Sequence, residues 1–470
     1  MRTQCNQESL EFHPLGRRQV HGRFDGGAIT TDAGGLLLRE VEQRTGIVAQ
    51  FAACFTDHRD PERIEPTVRE LVAQRVYALG LGYEDLNDHD QLRQDPLLAV
   101  LAEKDDPTGE SRVRERDHGK ALAGKSTLNR LELTGEVVRE EERYKKTALD
   151  PEAVDRMLVA IFLQAQREPP AEIVLDWDAT DDPVHGHQEG RFFHGDYGHY
   201  GYLPLYIFCG EHLLGARLRP SHLDASAGSR EELERIVGQI RQAWPEVKIT
   251  RRGDSGFCRE ELMRWCEAHR VDYVLGLAKN ERLKAEIAAE LEQAAEQYAE
   301  TGRAARIFKE FRYQTRQSWS RARRVIAKAE HLEKGSNPRF IVTSLPPAAW
   351  EARALYEQLY CARGEMENRI KEQLRLFADR TSTAFLRSNQ VRLYFSSVAY
   401  VLMQALRRLG LAGTELAQAQ CDTLRLKLLK IGAQMRVTVR RVWISLAEGY
   451  AYAALFAQVW AQLRALPLRR

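Results

Sequence analysis

The rhythm of apolar and polar residues changes several times along the 470-residue chain, and each change predicts a different kind of element. Residues 1–150 open on a glycine-punctuated stretch (Gly26, Gly27, Gly34, Gly35) and then show apolar residues at helical spacing over Pro66 to Leu79 and Asp95 to Ala102. Pro66 and Pro96 suit a first helical turn, where the missing N–H costs nothing. The run Glu103 to Arg116 carries both signs of charge together with Pro107 and Gly109 and reads as an exposed loop, and Ser126 to Glu132 begins another helix. The expectation is a mainly helical first domain.

Beyond Pro169-Pro170 the texture shifts. Ile173 to Asp178 is a short β-branched and apolar run ending in acids, as a buried strand with carboxylates at its C-terminal end would be. Leu203 to Cys209, His212 to Leu218, Val247 to Arg251 and Tyr273 to Leu277 are further predicted strands, with helices over Ser229 to Trp244 and Arg259 to His269. Adjacent strands followed by alternating helices predict a mixed α/β sheet, its first part in residues 151–279. Residues 280–346 interrupt it as one long helix (about Glu281 to Glu300) plus a small β insertion at Arg306 to Tyr313, Ser320 to Ala329 and Arg339 to Thr343. Helices over Trp350 to Phe377 and Thr383 to Leu409 complete the core in residues 347–409. Residues 410–470 form a mixed tail, strand-like over Val437 to Ile444 and helical up to Leu466.

Composition narrows the class. With 43% hydrophobic and 29% charged residues the chain is globular and neither disordered nor membrane-embedded. Met-Arg-Thr-Gln-Cys at the start lacks the apolar run of a signal peptide, and no stretch is long enough to span a bilayer, so a cytoplasmic protein is expected. Seven cysteines, Cys5 among them, are scattered without a Cys-x-x-Cys pair, a pattern that suggests neither a zinc knuckle nor a disulfide framework. A net charge of +2 names no partner, but from Arg407 to Arg470 eleven Arg or Lys face three acids, a local excess that suits phosphate or a solvated basic face.

Three acidic positions carry the candidate chemistry. Asp176 and Asp178 alternate onto the same face at the end of the first core strand, and position alone does not choose between them. Asp254 sits in Arg252-Gly253-Asp254-Ser255-Gly256, where flanking glycines let the backbone approach a ligand; a plain turn before a helix has the same pattern. On an ideal helix Tyr360, Arg363, Glu367 and Lys371 fall within an arc of about 80°, so one stripe presents an aromatic, two cations and one carboxylate. Carboxylates from separate parts of a chain are what a two-metal phosphodiester cleavage site needs, because hard cations must be clamped on both sides of the reacting phosphate.

At these residues the chain resembles a family. Tyr360-x2-Arg363-x3-Glu367 is similar to the signature around the last acid of DDE insertion-sequence transposases, and Asp178-Ala179-Thr180 and Gly253-Asp254-Ser255 resemble the contexts of their two aspartates. The resemblance extends from about Glu172 to Arg375. It departs at Leu374, seven residues after Glu367, where this branch usually has Lys; Lys371 and Arg375 are the candidates to take its place. The resemblance implies an RNase H-like catalytic core with a β-rich insertion, and a cut-and-paste transposase that binds terminal inverted repeats and target DNA, as a homodimer in the DNA complex. It implies two Mg2+ ions, replaceable by Mn2+, held by Asp178, Asp254 and Glu367, with Tyr360, Arg363, Lys371 and Arg375 on DNA phosphates.

The insertion adds Trp319, Arg321, Arg323 and Arg324, cations around one aromatic, which fit a DNA strand with the indole stacked on a flipped base or, equally, a strand Trp packed on its sheet. A rival function rests on Asp176-x-Asp178-x-Thr180, which also fits the nucleophile motif of haloacid-dehalogenase-like phosphatases with Asp176 as nucleophile. His185, His187, His194 and His199 share a Gly-rich, aromatic loop (Gly186 to Tyr202) and are open to metal binding or phosphate contact.

Overall fold

A computed structural model describes residues 9–135, 137–139, 141–195 and 198–469; Cys5 lies outside them. The chain divides into two compact units, residues 149–397 and residues 1–148 together with 398–470.

The unit of residues 149–397 is built on a nine-stranded mixed sheet. Its strands are β1 (Glu172–Ala179), β2 (Leu205–Cys209), β3 (His212–Arg217), β4 (Lys248–Gly253), β5 (Val271–Leu277), β6 (Ala305–Tyr313), β7 (Arg323–Leu332), β8 (Gly335–Ser336) and β9 (Arg339–Thr343). The order across the sheet is β3-β2-β1-β4-β5-β9-β7-β6, with β8 on β7. β1, β4 and β5 run parallel, and β2 and β9 flank that parallel core antiparallel. The strands of residues 280–346, expected as a small separate insertion, instead extend this sheet. Their β-branched runs (Val325-Ile326, Ile341-Val342) are apolar on both faces, so they are stable only inside a covered sheet.

Alternation sorts the two faces. Ile173, Leu175, Trp177, Tyr273, Leu275, Val325 and Val342 enter one large core, where helices α1 (Pro151–Ala165), α2 (Ser229–Ala243) and α3 (Glu260–Ala268) supply Phe162, Leu233, Ile240, Met263 and Cys266. Val274, Ile326 and Ile341 face the other way, under Leu355 and Tyr356. Asp176 and Arg252 are in register with Val274 and so share that second face. The helical run covering it is not a plain α-helix. It starts at Ala352–Ala354, passes through a π turn at Leu355–Tyr360 and a 3₁₀ turn at Cys361–Arg363, and becomes α4 (Gly364–Arg375). The long helix expected over Glu281 to Glu300 is two, Glu281–Glu286 and Ala288–Thr301, separated at Ile287. The stretch from Gly186 to Tyr202, expected as a loop, contributes Phe192–His194 and His199–Tyr202 to a small three-stranded sheet with Asp182–Pro183.

In the other unit the segments expected as separate N-terminal and C-terminal domains share one body. Ala28–Thr30 pairs with Ala433–Val437, which pairs with Val442–Leu446. The tail strand expected over Val437 to Ile444 is thus a hairpin, turning at Thr438–Arg441 where the strand pattern showed no break. Helix Val68–Leu81 is capped by Thr67 with Glu70 in a capping box, which puts Pro66 before the helix instead of in its first turn. Pro96 does occupy the first turn of Pro96–Leu101, behind the Asp95 cap. The six described cysteines are all free thiols. Among the described residues no helix is long and apolar enough to cross a membrane.

Candidate active site

The two parallel strands at the centre of the sheet deliver the first two carboxylates. Arg252 is in register with Asp176 and Gly253 with Trp177, so Asp254, just past the end of β4, and Asp178, near the end of β1, follow at the same end of neighbouring strands. Gly253 closes β4, and Asp254 caps the 3₁₀ turn Ser255–Phe257 by accepting from the Gly256 N–H at 2.8 Å. Asp178 accepts from its neighbour's amide, Ala179 N–H, at 3.0 Å.

The helical run brings the rest. Arg363 Nη1 lies 3.4 Å from Asp178 Oδ2, and Arg363 Nη2 lies 3.7 Å from Glu367 Oε1. Tyr360 is placed against Gly276 and the Asp254 turn: a Cβ built on Gly276 would stand 2.7 Å from the Tyr360 hydroxyl and 2.8 Å from Ser255 N. Gly276 is therefore required by close approach, a role the sequence did not signal. Tyr360 reaches the Asp254 turn, Arg363 reaches Asp178, and Glu367 pairs with Arg363, along a run that changes from π to 3₁₀ to α between them. Lys371 and Arg375, further along α4, are exposed.

Electrostatics tie the acids together. Asp178 is raised to a pKa of about 6, by burial first and by the charges of Asp254 and Glu367, against the pull of Arg363 and the Ala179 amide. Burial alone would weaken the Arg363 guanidinium, but Asp178, Tyr360, Asp254 and Glu367 hold it above the usual arginine range. Among the described residues no three His, Cys, Asp or Glu side chains stand together as a group ready to hold a metal ion; the three acids are gathered around Arg363. As oxygen donors they suit a hard divalent cation by chemistry, and a cation would relieve the burial and, to a lesser degree, the acid–acid repulsion that keep Asp178 reluctant to ionise.

Asp176 is a different case from Asp178. It is only 4% exposed, and Arg252 grips both its oxygens, Nε to Oδ1 at 2.5 Å and Nη2 to Oδ2 at 2.8 Å. The third arm of Arg252 donates to the Leu359 carbonyl in the π turn. One guanidinium thus joins β1, β4 and the helical run that carry the three acids. The Asp-x-Asp pattern did not distinguish a clamped carboxylate from a free one, and nothing in the sequence paired Arg252 with it. Buried and ion-paired in this way, Asp176 is withdrawn from solvent and substrate, which counts against the phosphatase reading.

The insertion residues expected on DNA divide. Arg321 is exposed and pairs with Glu267. Trp319 is 6% exposed, edge-on to Tyr313 and beneath the Arg323 guanidinium. Arg323 is buried against Glu260 (2.6 Å) and Glu267 (2.8 Å), and Arg324 against Glu310 (2.7 Å) and the Leu345 and Trp350 carbonyls. These three are turned inward because acids on neighbouring elements neutralise the arginines and the sheet takes the indole. Of the histidines, His199 pairs with Asp181 at 2.8 Å and His187 with Arg191 at 2.8 Å.

Compared with known proteins, residues 12–468 match the model of a family described as transposase DDE domain group 1. A comparison with curated proteins finds no match. Among solved structures the chain is similar to a piggyBac transposase in a synaptic complex with hairpin DNA, at 11% identity and a TM-score of 0.40, over 85% of this chain and 80% of that one.

Proposed function

The chain belongs to the transposase DDE domain group 1 family and is therefore a DNA-cleaving and strand-transferring enzyme; from that premise we propose that Asp178, Asp254 and Glu367 are its catalytic acids and hold divalent metal. The observation that carries this reading is the arrangement of two aspartates at the ends of adjacent parallel strands, with Arg363 reaching both Asp178 and Glu367 from the covering helix. The sheet order β3-β2-β1-β4-β5, with β1, β4 and β5 parallel, supports an RNase H-like core extended by the strands of residues 280–346.

Mg2+, or Mn2+ in its place, bound at the three acids would activate the attacking water or 3′-hydroxyl and stabilise charge on the phosphate. The remaining work falls to the chain itself. Asp178 and Asp254 fix the donor oxygens at one sheet edge. Arg363, charged throughout the physiological range, exchanges its carboxylate partners for phosphate oxygens of the DNA, which its planar fork suits. Tyr360 backs the Asp254 turn and donates its hydroxyl toward the same phosphate. Exposed Lys371, Arg375 and Arg321 follow the DNA backbone on either side. Trp319, Arg323 and Arg324 act from inside, holding the insertion strands in place. The protein acts in the cytoplasm on the terminal inverted repeats of its own element and on target DNA, as a homodimer when two ends are joined.

The test is incubation of the full chain with a fragment carrying the element's ends, with Mg2+ or with chelator, using wild type and Asp254→Asn. Cleavage by wild type in Mg2+ alone is expected. Cleavage by Asp254→Asn at the wild-type rate overturns the assignment of the site.

A further inference from the structure

We infer that the hairpin Ala433–Val437/Val442–Leu446 is a duplex-DNA-binding ribbon, a second nucleic-acid surface on the unit of residues 1–148 and 398–470. This rests on the transposase reading and adds a surface to it. The three-stranded sheet it belongs to has one face open and the other buried only in part, Ala28, Val442 and Leu446 on that side being exposed. Thr30, Ala433 and Met435 turn inward. The opposite face carries Ile29, Gln434, Arg436, Trp443 and Ser445, all exposed, with Ile29 across from Gln434 and Arg436 directly across from Trp443. An indole 47% exposed on an open sheet face is unusual for a residue of its size.

Charge decides what covers it. From Thr423 to Ala447 the sequence holds six Arg or Lys and not one acid; Lys430 pairs with Asp32 and Arg425 donates to the Gly80 carbonyl, while Arg436, Arg440 and Arg441 are exposed on the hairpin. Arg440 and Arg441 stand at the hairpin's turn, beside a fully exposed Val439. The turn is rigid: the Thr438 N–H and hydroxyl both donate to the Arg441 carbonyl, at 2.8 and 2.9 Å, and the Arg441 N–H returns to Thr438 Oγ1 at 3.1 Å. The Arg441 guanidinium carbon lies 5.6 Å from the centre of the Trp443 ring, which holds the cation over the aromatic face. A preformed two-stranded ribbon has the width a B-DNA major groove admits. Arginines at its tip meet phosphates on the groove walls, and Trp443 and Ile29 offer apolar contact to base edges such as the thymine methyl. A second copy of this chain is disfavoured, because the same face would bring like charges together.

The experiment measures binding of the full chain to labelled duplex by fluorescence anisotropy, in chelator, across a sodium chloride series, with a single strand of equal length as a second probe. For Arg440→Ala/Arg441→Ala the slope of log affinity against log salt is expected to fall by about 2, roughly one unit for each phosphate no longer neutralised. Trp443→Ala is expected to weaken duplex binding with the slope unchanged. Should the double variant misfold, Arg440→Gln at the exposed tip reads the same quantity with an expected fall of about 1. Wild-type affinity and slope in the arginine variants overturn the proposal, as does a loss confined to the single strand or a change in oligomeric state without change in DNA binding. If wild type cleaves DNA while these variants bind as it does, only the hairpin proposal fails; if wild type binds no DNA, the reading beneath it fails too.

Discussion

Replacing Asp176 by alanine tests whether this acid is a scaffold or a reagent. In the folded protein it is 4% exposed and Arg252 is 7% exposed, joined by two charge-assisted bonds of 2.5 and 2.8 Å. Asp176→Ala leaves the guanidinium buried with only the Leu359 carbonyl, and removing one partner of a buried ion pair costs about 3–5 kcal/mol. That corresponds to roughly a hundredfold or greater shift of the unfolding constant, since about 1.4 kcal/mol is tenfold. Asp176→Leu/Arg252→Met removes both charges, and an apolar replacement of similar volume is often neutral or better; only the Leu359 carbonyl then loses its donor, worth about 1–3 kcal/mol. Urea unfolding followed by intrinsic fluorescence should therefore rank wild type first, the double variant close behind and the single variant last. Asp178→Ala should unfold near wild type yet not cleave DNA, while the double variant keeps measurable cleavage. The reasoning is refuted if Asp176→Ala unfolds within about 1 kcal/mol of wild type, or if the double variant is stable but wholly inactive while Asp178→Ala still cuts.

Other perturbations read other parts of the site. Gly276→Ala puts a methyl against the Tyr360 hydroxyl and Ser255 N, an overpacking worth about 1–3 kcal/mol; thermal melting should show the loss, and cleavage should fall with it. Arg363→Lys keeps the charge but not the planar fork, so cleavage should drop at least tenfold with folding unchanged, and equal rates would remove Arg363 from the phosphate. Burial raises Asp182 to a pKa of about 8, with Asp379 and Asp181 adding to it and the Thr381 hydroxyl opposing. The native state therefore holds a proton that the unfolded chain releases above about pH 4, so this group favours folding at low pH and loses that contribution as pH rises through about 8. Melting temperatures of wild type should fall between pH 5 and 8.5 more steeply than those of Asp182→Asn; parallel curves would contradict the shift.

Local patterning made the central unit legible. Strands β1 through β5 and helices α2 and α3 lie within a few residues of where alternation and helical spacing put them, because each is a short local pattern bounded by glycine, proline or polar residues. What escaped the sequence depends on partners far away. Arg252 and Asp176 are 76 positions apart, and only the register of two parallel strands brings them together. The buried state of Arg323 and Arg324 is set by Glu260, Glu267 and Glu310, so a basic run that suggested a DNA surface became an internal ion-pair network. Ile287, which splits the expected long helix, carries no proline or glycine to announce a break. The tail hairpin was hidden by a turn, Thr438-Val439-Arg440-Arg441, made of residues that also suit a strand.

The π turn at Leu355–Tyr360 is closed by the Cys361 N–H reaching back five residues to the Tyr356 carbonyl, one residue more than an α-helix uses. The segment is thus an index mark for everything after it. Deleting a single residue there would restore ordinary α-helix with the following stretch near its present direction, whereas tightening the turn to α-helix with no residue removed would rotate that stretch by about 100°, carrying Arg363 and Glu367 off the strand ends. The length of this short segment sets the angular phase at which the last acid meets the other two.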